Sequence, residues 1–481
     1  MKLTKNRKRV YTACIITLFL YSLVMIKTLL PSSDIYWMIS TGRFIAEHGI
    51  PTINPFTIHE NFSIIIQQWL YDVIIYKLYS AAEFNAIFVF SALTYLMFFI
   101  LLYKYIKILS NNIYTSLNLT LIFGFIIARL QHMFVNRPQF ISLILILVAY
   151  IVIEKYKHTN NKKYLVILPM VSIIQANIHS SFLLVTFVMI LPHLCKEFFN
   201  KKTVYWIKSK KALFISFICM ILVSIINPYK LQGITYLIKS YREVVENIAI
   251  VELRKPIFLS VEGIIMIACI CIIAIYVYIY KDNLRITYIT MSIGTLILGL
   301  MHYRNIWLAV IGVIPLISTL LQNRQYEDFE QYKTVATCIV LGIISLILAV
   351  CMIKSTYKSE EDNSVRPELA VEYLNNYQGE IKLYNDFNSG GYLEMYGYKV
   401  YIDQRPEIYE SAINNQKDIY SEYINLNYNS NTDELKSILD KYNFTHMIIR
   451  KGTTLDMIVQ LQSDYKVVVD STDYKLLEHV K

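Results

Sequence analysis

One acid and a set of cations stand at the edges of long apolar stretches of this chain. The acid is Asp34, in Ser32-Ser33-Asp34-Ile35-Tyr36-Trp37-Met38-Ile39-Ser40-Thr41-Gly42-Arg43, just past the first apolar run. A carboxylate at the rim of hydrocarbon is costly to keep there, which makes it a functional-site candidate. Arg129, His132, Arg137, Asn177, His179, Glu252, His302 and Arg304 occupy comparable edges further along. Guanidinium and imidazole groups can hold a phosphate, and a carboxylate can act as a base toward a hydroxyl. A phosphate-bearing lipid would meet both kinds of group.

Each residue also has a structural reading. Asp34 follows two serines and opens an amphipathic segment, so helix capping explains it equally well. Arg137, before Pro138, either binds phosphate or caps a helix. Asn177 and His179 satisfy backbone groups at a turn, or bind a ligand. His302 and Arg304 anchor an interfacial turn, or do the same. Glu252 could serve a metal or substrate but fits a solvated loop, and Arg43 and Lys77 fit residues reaching for lipid headgroups. His48, His59, His158 and His193 read as loop residues.

The elements that must position these groups follow from composition. The 481 residues are 55% hydrophobic and 17% charged, with a mean hydropathy of +0.41. A soluble chain has about 45–50% apolar and about 25% charged residues, so this is an integral membrane protein. The net charge of +10 conceals a split. From Ser355 on there are 13 Lys and Arg against 21 Asp and Glu, whereas residues 1–354 hold 33 against 15. Basic loops on a membrane body followed by an acidic, water-soluble tail account for this. The basic residues are scattered among loops, which excludes nucleic acid as a partner. The seven cysteines lie in or beside apolar spans without CxxC or zinc-type spacing, so neither disulfides nor a structural metal is expected. No cofactor is expected.

Positive loops orient the spans. The basic segment Lys2–Arg9 places the N-terminus inside, and an uncleaved first span (about 11–30) exits. An external loop at 31–83 carries Asp34, a Pro-rich turn at Pro51–Phe56 and Gln67-Gln68-Trp69. Further spans are expected at about 85–103, 113–128, 212–226, 258–280, 286–301, 306–321 and 333–353, with one opening after Arg137. Residues 164–194 are nearly unbroken apolar sequence, which as one helix would measure about 46 Å against a hydrocarbon core of about 30 Å. The polar patch Gln175–Ser181 lies at the middle and lysines flank both ends, so a hairpin of two short helices is expected. The total is about 11 transmembrane helices, with residues 1–354 as the membrane domain and 355–481 as an extracytoplasmic α/β domain. All the candidate residues then gather on the outer face.

In the tail, helices are expected at Pro367–Asn376, capped by Ser364, and at Asp433–Tyr442. Strands are expected at Ile381–Tyr384, Lys399–Ile402, His446–Arg450, Lys466–Val469 and Tyr474–Leu477, in a partly parallel sheet. Gly390-Gly391 and Asp403-Gln404-Arg405-Pro406 read as fold-building turns. The alternative has Asp386, Asp403 and Arg405 roofing an outer cavity and touching substrate.

In order along the chain, several segments resemble a bacterial, protein-mannosyltransferase-like branch of the GT-C glycosyltransferases. They are Asp34–Arg43, His48-Gly49-Ile50-Pro51, Asn54-Pro55-Phe56, Asn136-Arg137-Pro138-Gln139, Ala176-Asn177-Ile178-His179, Asn227-Pro228-Tyr229, His302-Tyr303-Arg304-Asn305, Tyr384–Leu393 and Tyr401–Arg405. The resemblance covers nearly the whole chain. It implies a multi-pass cell-membrane enzyme with a GT-C fold and an outer-face site. The donor would be a polyprenyl-phosphate sugar, with inversion at the anomeric carbon. Asp34 would be the general base or position the acceptor, and the cations would hold the donor phosphate. The partners would be this lipid-linked donor, membrane lipids and a glycan, lipid or protein acceptor. Asp34 is followed by Ile35 rather than by a second acid, so a divalent metal is not indicated. The competing expectation is a non-catalytic assembly factor or lipid-linked sugar transporter on the same scaffold. Inverted repeats would mark a transporter, and no internal repeat is seen.

Overall fold

The computed structural model describes residues 33–130, 137–194, 210–236, 254–322, 365–429, 432–460 and 464–480, with single positions between them. In chain order the elements used below are α1 (Ser33–His48), α2 (Trp69–Ser110), α3 (Ile113–Leu130), α4 (Gln139–Thr159), α5 (Ile167–Ile178), α6 (Leu183–Ile190), α7 (Lys211–Val223), α8 (Val261–Ile279), α9 (Ile286–Met301), α10 (Ile306–Leu320), α11 (Glu368–Asn376), β1 (Leu383–Tyr384), α12 (Gly390–Met395), α13 (Ile419–Tyr428), α14 (Thr432–Tyr442), β2 (His446–Arg450), β3 (Tyr465–Asp470) and β4 (Tyr474–His479). Two compact units form. The first holds Met1–Leu30, Ile87–Lys230 and Asn247–Cys351; the second holds Pro31–Ala86, Leu231–Glu246 and Met352–Lys481. The segment carrying Asp34 therefore shares a unit with the tail.

In the first unit the expected spans at 113–128, 258–280, 286–301 and 306–321 appear as α3, α8, α9 and α10, and the span at 212–226 as α7. The span at 85–103 is the later part of α2, whose 42 residues are interrupted by non-helical backbone at Ala82 and Glu83. The expected spans at 11–30 and 333–353 lie outside the described residues, apart from single positions. By length and composition α2, α3, α4, α8 and Tyr303–Leu320 can each cross a membrane, and α7, α9 and Ser180–Leu194 are shorter apolar segments.

The run at 164–194 folds as a hairpin beside α4. Its turn is at His179, whose Nδ1 is 2.7 Å from Ser142 Oγ near the start of α4. Both of its ends lie against the far end of α4: Leu165, Leu168 and Ile190 share one apolar cluster with Tyr156, and His193 Nδ1 is 2.8 Å from Lys157 Nζ. Two helices of 12 and 8 residues replace one that would overrun the bilayer. Two histidines expected in solvated loops are in fact buried. His193 lies in a 3-10 turn beside the Glu154–Lys157 ion pair. His59, in the second unit, packs against Phe62 and Tyr401. His48 and His158 sit in the last turns of α1 and α4.

The second unit is built on a four-stranded sheet in the order β1-β2-β4-β3. β1 pairs with β2 in parallel, and the other two pairings are antiparallel, as the alternation of helix and strand implied. Lys399–Ile402 does not join this sheet. Val400 accepts a backbone hydrogen bond from Ile58 (2.9 Å) and donates one to Phe56 O (2.8 Å), so its extended backbone pairs with the Pro-rich turn of the early loop. Ser364 lies outside the described residues, and α11 opens directly after Pro367. Gly390 and Gly391 begin α12 rather than forming an open turn.

Candidate active site

Asp34 is the second residue of α1, in the first turn, where a negative charge complements the helix dipole. It is partly exposed, whereas every residue from Ile35 to Gly42 is buried. The helix is therefore enclosed for two turns and presents its acid at the rim. Two glycines permit the enclosure. A Cβ on Gly42 would stand 2.0 Å from the backbone oxygen of Asp72 and 2.8 Å from Tyr76 Cβ in the early turns of α2. On the opposite partner, a Cβ on Gly391 of α12 would stand 3.0 Å from Trp37 N. Tyr36 meets the rings of Tyr392 and Phe84 edge-on at 5.0 and 6.1 Å. Arg43 donates from Nη2 to Met395 O at 3.0 Å, so it is tied into α12 rather than reaching for lipid headgroups.

Arg405 joins the tail motif to α1. Its Nε and Nη2 donate to the two oxygens of Asp403 at 3.0 and 2.7 Å, and Nη2 also donates to Glu394 at 3.0 Å. Nη1 donates to Thr41 Oγ1 at 3.3 Å, and the guanidinium lies 4.8 Å from the Trp37 ring centre. Tyr409 Oη completes Asp403 at 2.8 Å. Burial raises Asp403, but the Arg405 charge and these hydrogen bonds outweigh it and hold the carboxyl below the ordinary carboxylate range. Burial raises Glu394 well above that range, and the neighbouring Asp403 charge adds to the effect. Arg405 thus stands between two buried carboxyl groups and opposes the rise at Glu394 while holding Asp403 down. Asp386 caps the turn at Phe387–Ser389 through Asn388 N (3.0 Å) and accepts from Tyr423 Oη (2.7 Å). Asp386, Asp403 and Arg405 are all buried, with partners inside the unit.

The first unit brings a second polar set together at the His179 end. Gln175 Nε2 donates to Ser142 Oγ and to His179 O, both at 2.8 Å. His179 stacks on Phe182 (5.3 Å), which stacks on Trp307 (5.7 Å) at the start of α10. Arg304, in the turn before α10, lies close enough to act electrostatically on His179. Tyr303 donates to Glu262 at 2.8 Å and, through its backbone N, to Arg254 O at 2.8 Å. Arg129, at the end of α3, acts electrostatically on both Glu262 and Tyr303. Asn177 bonds to Ile173 O and Ile226 O, both at 2.8 Å. His302, next to this turn, is buried, and Arg137 stands just before α4. His132 and Glu252 lie outside the described residues. Sequence reasoning placed Gln175 in the polar patch of the hairpin but missed Ser142 and Glu262, because neither a serine nor an acid at the start of an apolar span carries a local signal. Among the described residues no group of three or more His, Cys, Asp and Glu is placed to hold a metal ion.

The structure is similar to the crystal structure of the oligosaccharyltransferase of Archaeoglobus fulgidus tethered through a disulfide bond to an acceptor peptide containing the NVT sequon. The similarity has a TM-score of 0.52 at 10% identity and covers 92% of this chain and 69% of the other. The likeness is one of fold. No protein-family model and no curated protein matches the chain. The GT-C resemblance of the sequence motifs thus agrees with the fold, and the apolar helices agree with a membrane protein.

Proposed function

We propose that this chain is a membrane glycosyltransferase that moves a hexosyl or pentosyl unit from a polyprenyl phosphate to a cell-envelope acceptor on the outer face of the membrane. The observation that carries the reading is Asp34: a partly exposed carboxylate at the start of a helix whose next eight residues are buried. A reacting group benefits from a rigid support of that kind. Asp34 takes the proton of an acceptor hydroxyl as its oxygen attacks the anomeric carbon. The bond from that carbon to the phosphate oxygen breaks with inversion, and the lipid phosphate leaves with its electron pair. The departing phosphate needs positive and hydrogen-bonding groups, for which the sequence motifs offer Arg129, Arg137, His179 and Arg304. The acceptor class is a glycan, lipid or protein, the last in keeping with the peptide held by the archaeal oligosaccharyltransferase.

In membranes supplied with a radiolabelled polyprenyl-phosphate sugar, Asp34→Asn is expected to lower transfer by at least about 100-fold, the range for loss of a positioned general base, while the protein still inserts. Transfer at the unsubstituted rate would remove Asp34 from the chemistry.

A further inference from the structure

A groove lies in the second unit between α11 and the outer strand β3. It is a shallow, solvent-open groove of about 620 Å³, a volume within the range of small-molecule sites, about 300–1,000 Å³. Its walls are Glu372, Tyr373, Asn376, Tyr377 and Gln378 from α11 and the residues after it, with Asp470 from the end of β3. Val468 and Val469 form the apolar floor. We propose that this groove binds a neutral oligosaccharide.

The lining chemistry selects that class. Tyr373 and Tyr377 are four residues apart and share one face of the helix end. Both are half-buried, so each shows part of a flat apolar ring that can cover the C–H face of a sugar. The amides of Asn376 and Gln378 both donate and accept, and the carboxylates of Glu372 and Asp470 accept, which suits neighbouring hydroxyls. No Lys, Arg or His is among the lining residues. The cation beside Asp470, Lys451, is paired with it at 2.6 Å, so a phosphate or other anion would have to displace that carboxylate and would also meet Glu372.

The aromatic surface is held before any ligand arrives. Tyr373 Oη donates to Glu478 Oε2 at 2.7 Å. The Tyr377 ring stands edge-on to the buried His446 ring, centres 4.6 Å apart. Gly379 leaves room for it, since a Cβ there would stand 2.6 Å from the Tyr377 ring. Fixing the rings in advance removes an ordering cost on binding. A peptide strand added to β3 is the competing occupant. The irregular register between Val467 and Val469, together with Lys466 on the same strand, opposes it, because bulges and lysines are how sheet edges avoid further pairing.

The proposal is independent of the role of Asp34, and its test reads binding rather than transfer. Full-length protein in detergent micelles is titrated with chitotetraose and maltotetraose and followed by saturation-transfer-difference NMR. At least one is expected to bind. Tyr377→Ala is expected to weaken it about tenfold, the equivalent of one aromatic contact. Gln378→Ala, at an exposed position outside the core, is expected to weaken it as well without lowering the unfolding temperature. Asp34→Asn is expected to bind as the unsubstituted protein does. Absence of transfer to both sugars, or affinity unchanged in both groove variants, overturns the proposal. So does displacement of the sugar by an extended peptide that binds more tightly.

Discussion

Arg405 ties the tail motif to the helix of Asp34 through side chains with no slack. Removing it leaves Asp403 charged and buried without its bidentate partner, a change that costs about 3–5 kcal/mol. Arg405→Met is expected to lower the unfolding temperature in detergent and, through the lost contacts to Trp37 and Thr41, to lower transfer as well. Arg405→Lys is expected to rescue little, since an ammonium cannot reproduce the fork to Asp403. A second residue-scale expectation concerns His59. Burial is the main cause that lowers it from 6.5 to about 4, while its Nε2 hydrogen-bonds Tyr401 O at 2.8 Å. The unfolded chain therefore binds this proton first. Stability is full above pH 6.5 and falls as the pH drops toward 4, by about 3 kcal/mol for this group. Denaturant titrations at stepped pH should show that loss, and His59→Gln should remove it. Asp403-Gln404-Arg405 was legible as a fold-building motif because acid and base stand two residues apart. Glu394 was not, since its pairing depends on how α12 packs. His59 and His193 looked solvated because a histidine, whether in a loop or at the end of an apolar run, gives no sign of the groups that will cover it.

At the scale of elements, the enclosure of α1 depends on the absence of a side chain at Gly42. An added methyl there meets the Asp72 carbonyl, which is backbone and cannot swing aside. Gly42→Ala is expected to cost at least about 1–3 kcal/mol, visible as a lower unfolding temperature, with Ser40→Ala as a mild comparison. The hairpin at 164–194 was legible because a run too long for one span had a polar middle and basic ends. The fate of Lys399–Ile402 was not. Alternating residues announce an extended backbone, but they do not name its partner, and Thr57 bonds to Val400 across 343 positions of sequence. The break at Ala82–Glu83 falls where the external loop was expected to end and the span to begin, but the helix that precedes it was hidden.

For the whole molecule, the outer-face reading makes a topological prediction. On a background with the native cysteines replaced, single cysteines at the exposed positions Lys162 and Lys436 should behave oppositely toward a membrane-impermeant maleimide. Lys436→Cys should label in intact cells and Lys162→Cys only after permeabilisation. The reverse pattern would take Asp34 off the outer face. Hydropathy and charge made the spans and the acidic tail legible because both are local properties. That residues 31–86 belong with the tail was not legible, since their union is a matter of packing between segments hundreds of residues apart.

That union imposes an order of events during synthesis. Arg405 follows its partner Thr41 by 364 residues, which at about 5–20 residues per second corresponds to roughly 20–70 s of translation. Throughout that interval α1 exists without α12 or the guanidinium that later covers it, its Trp37 and Met38 unsheltered. The newborn helix therefore needs a temporary host, either the membrane surface or a chaperone outside the membrane. A chain that stops before residue 390 would carry every basic group of the first unit yet leave the helix of Asp34 covered by α2 and not by α12.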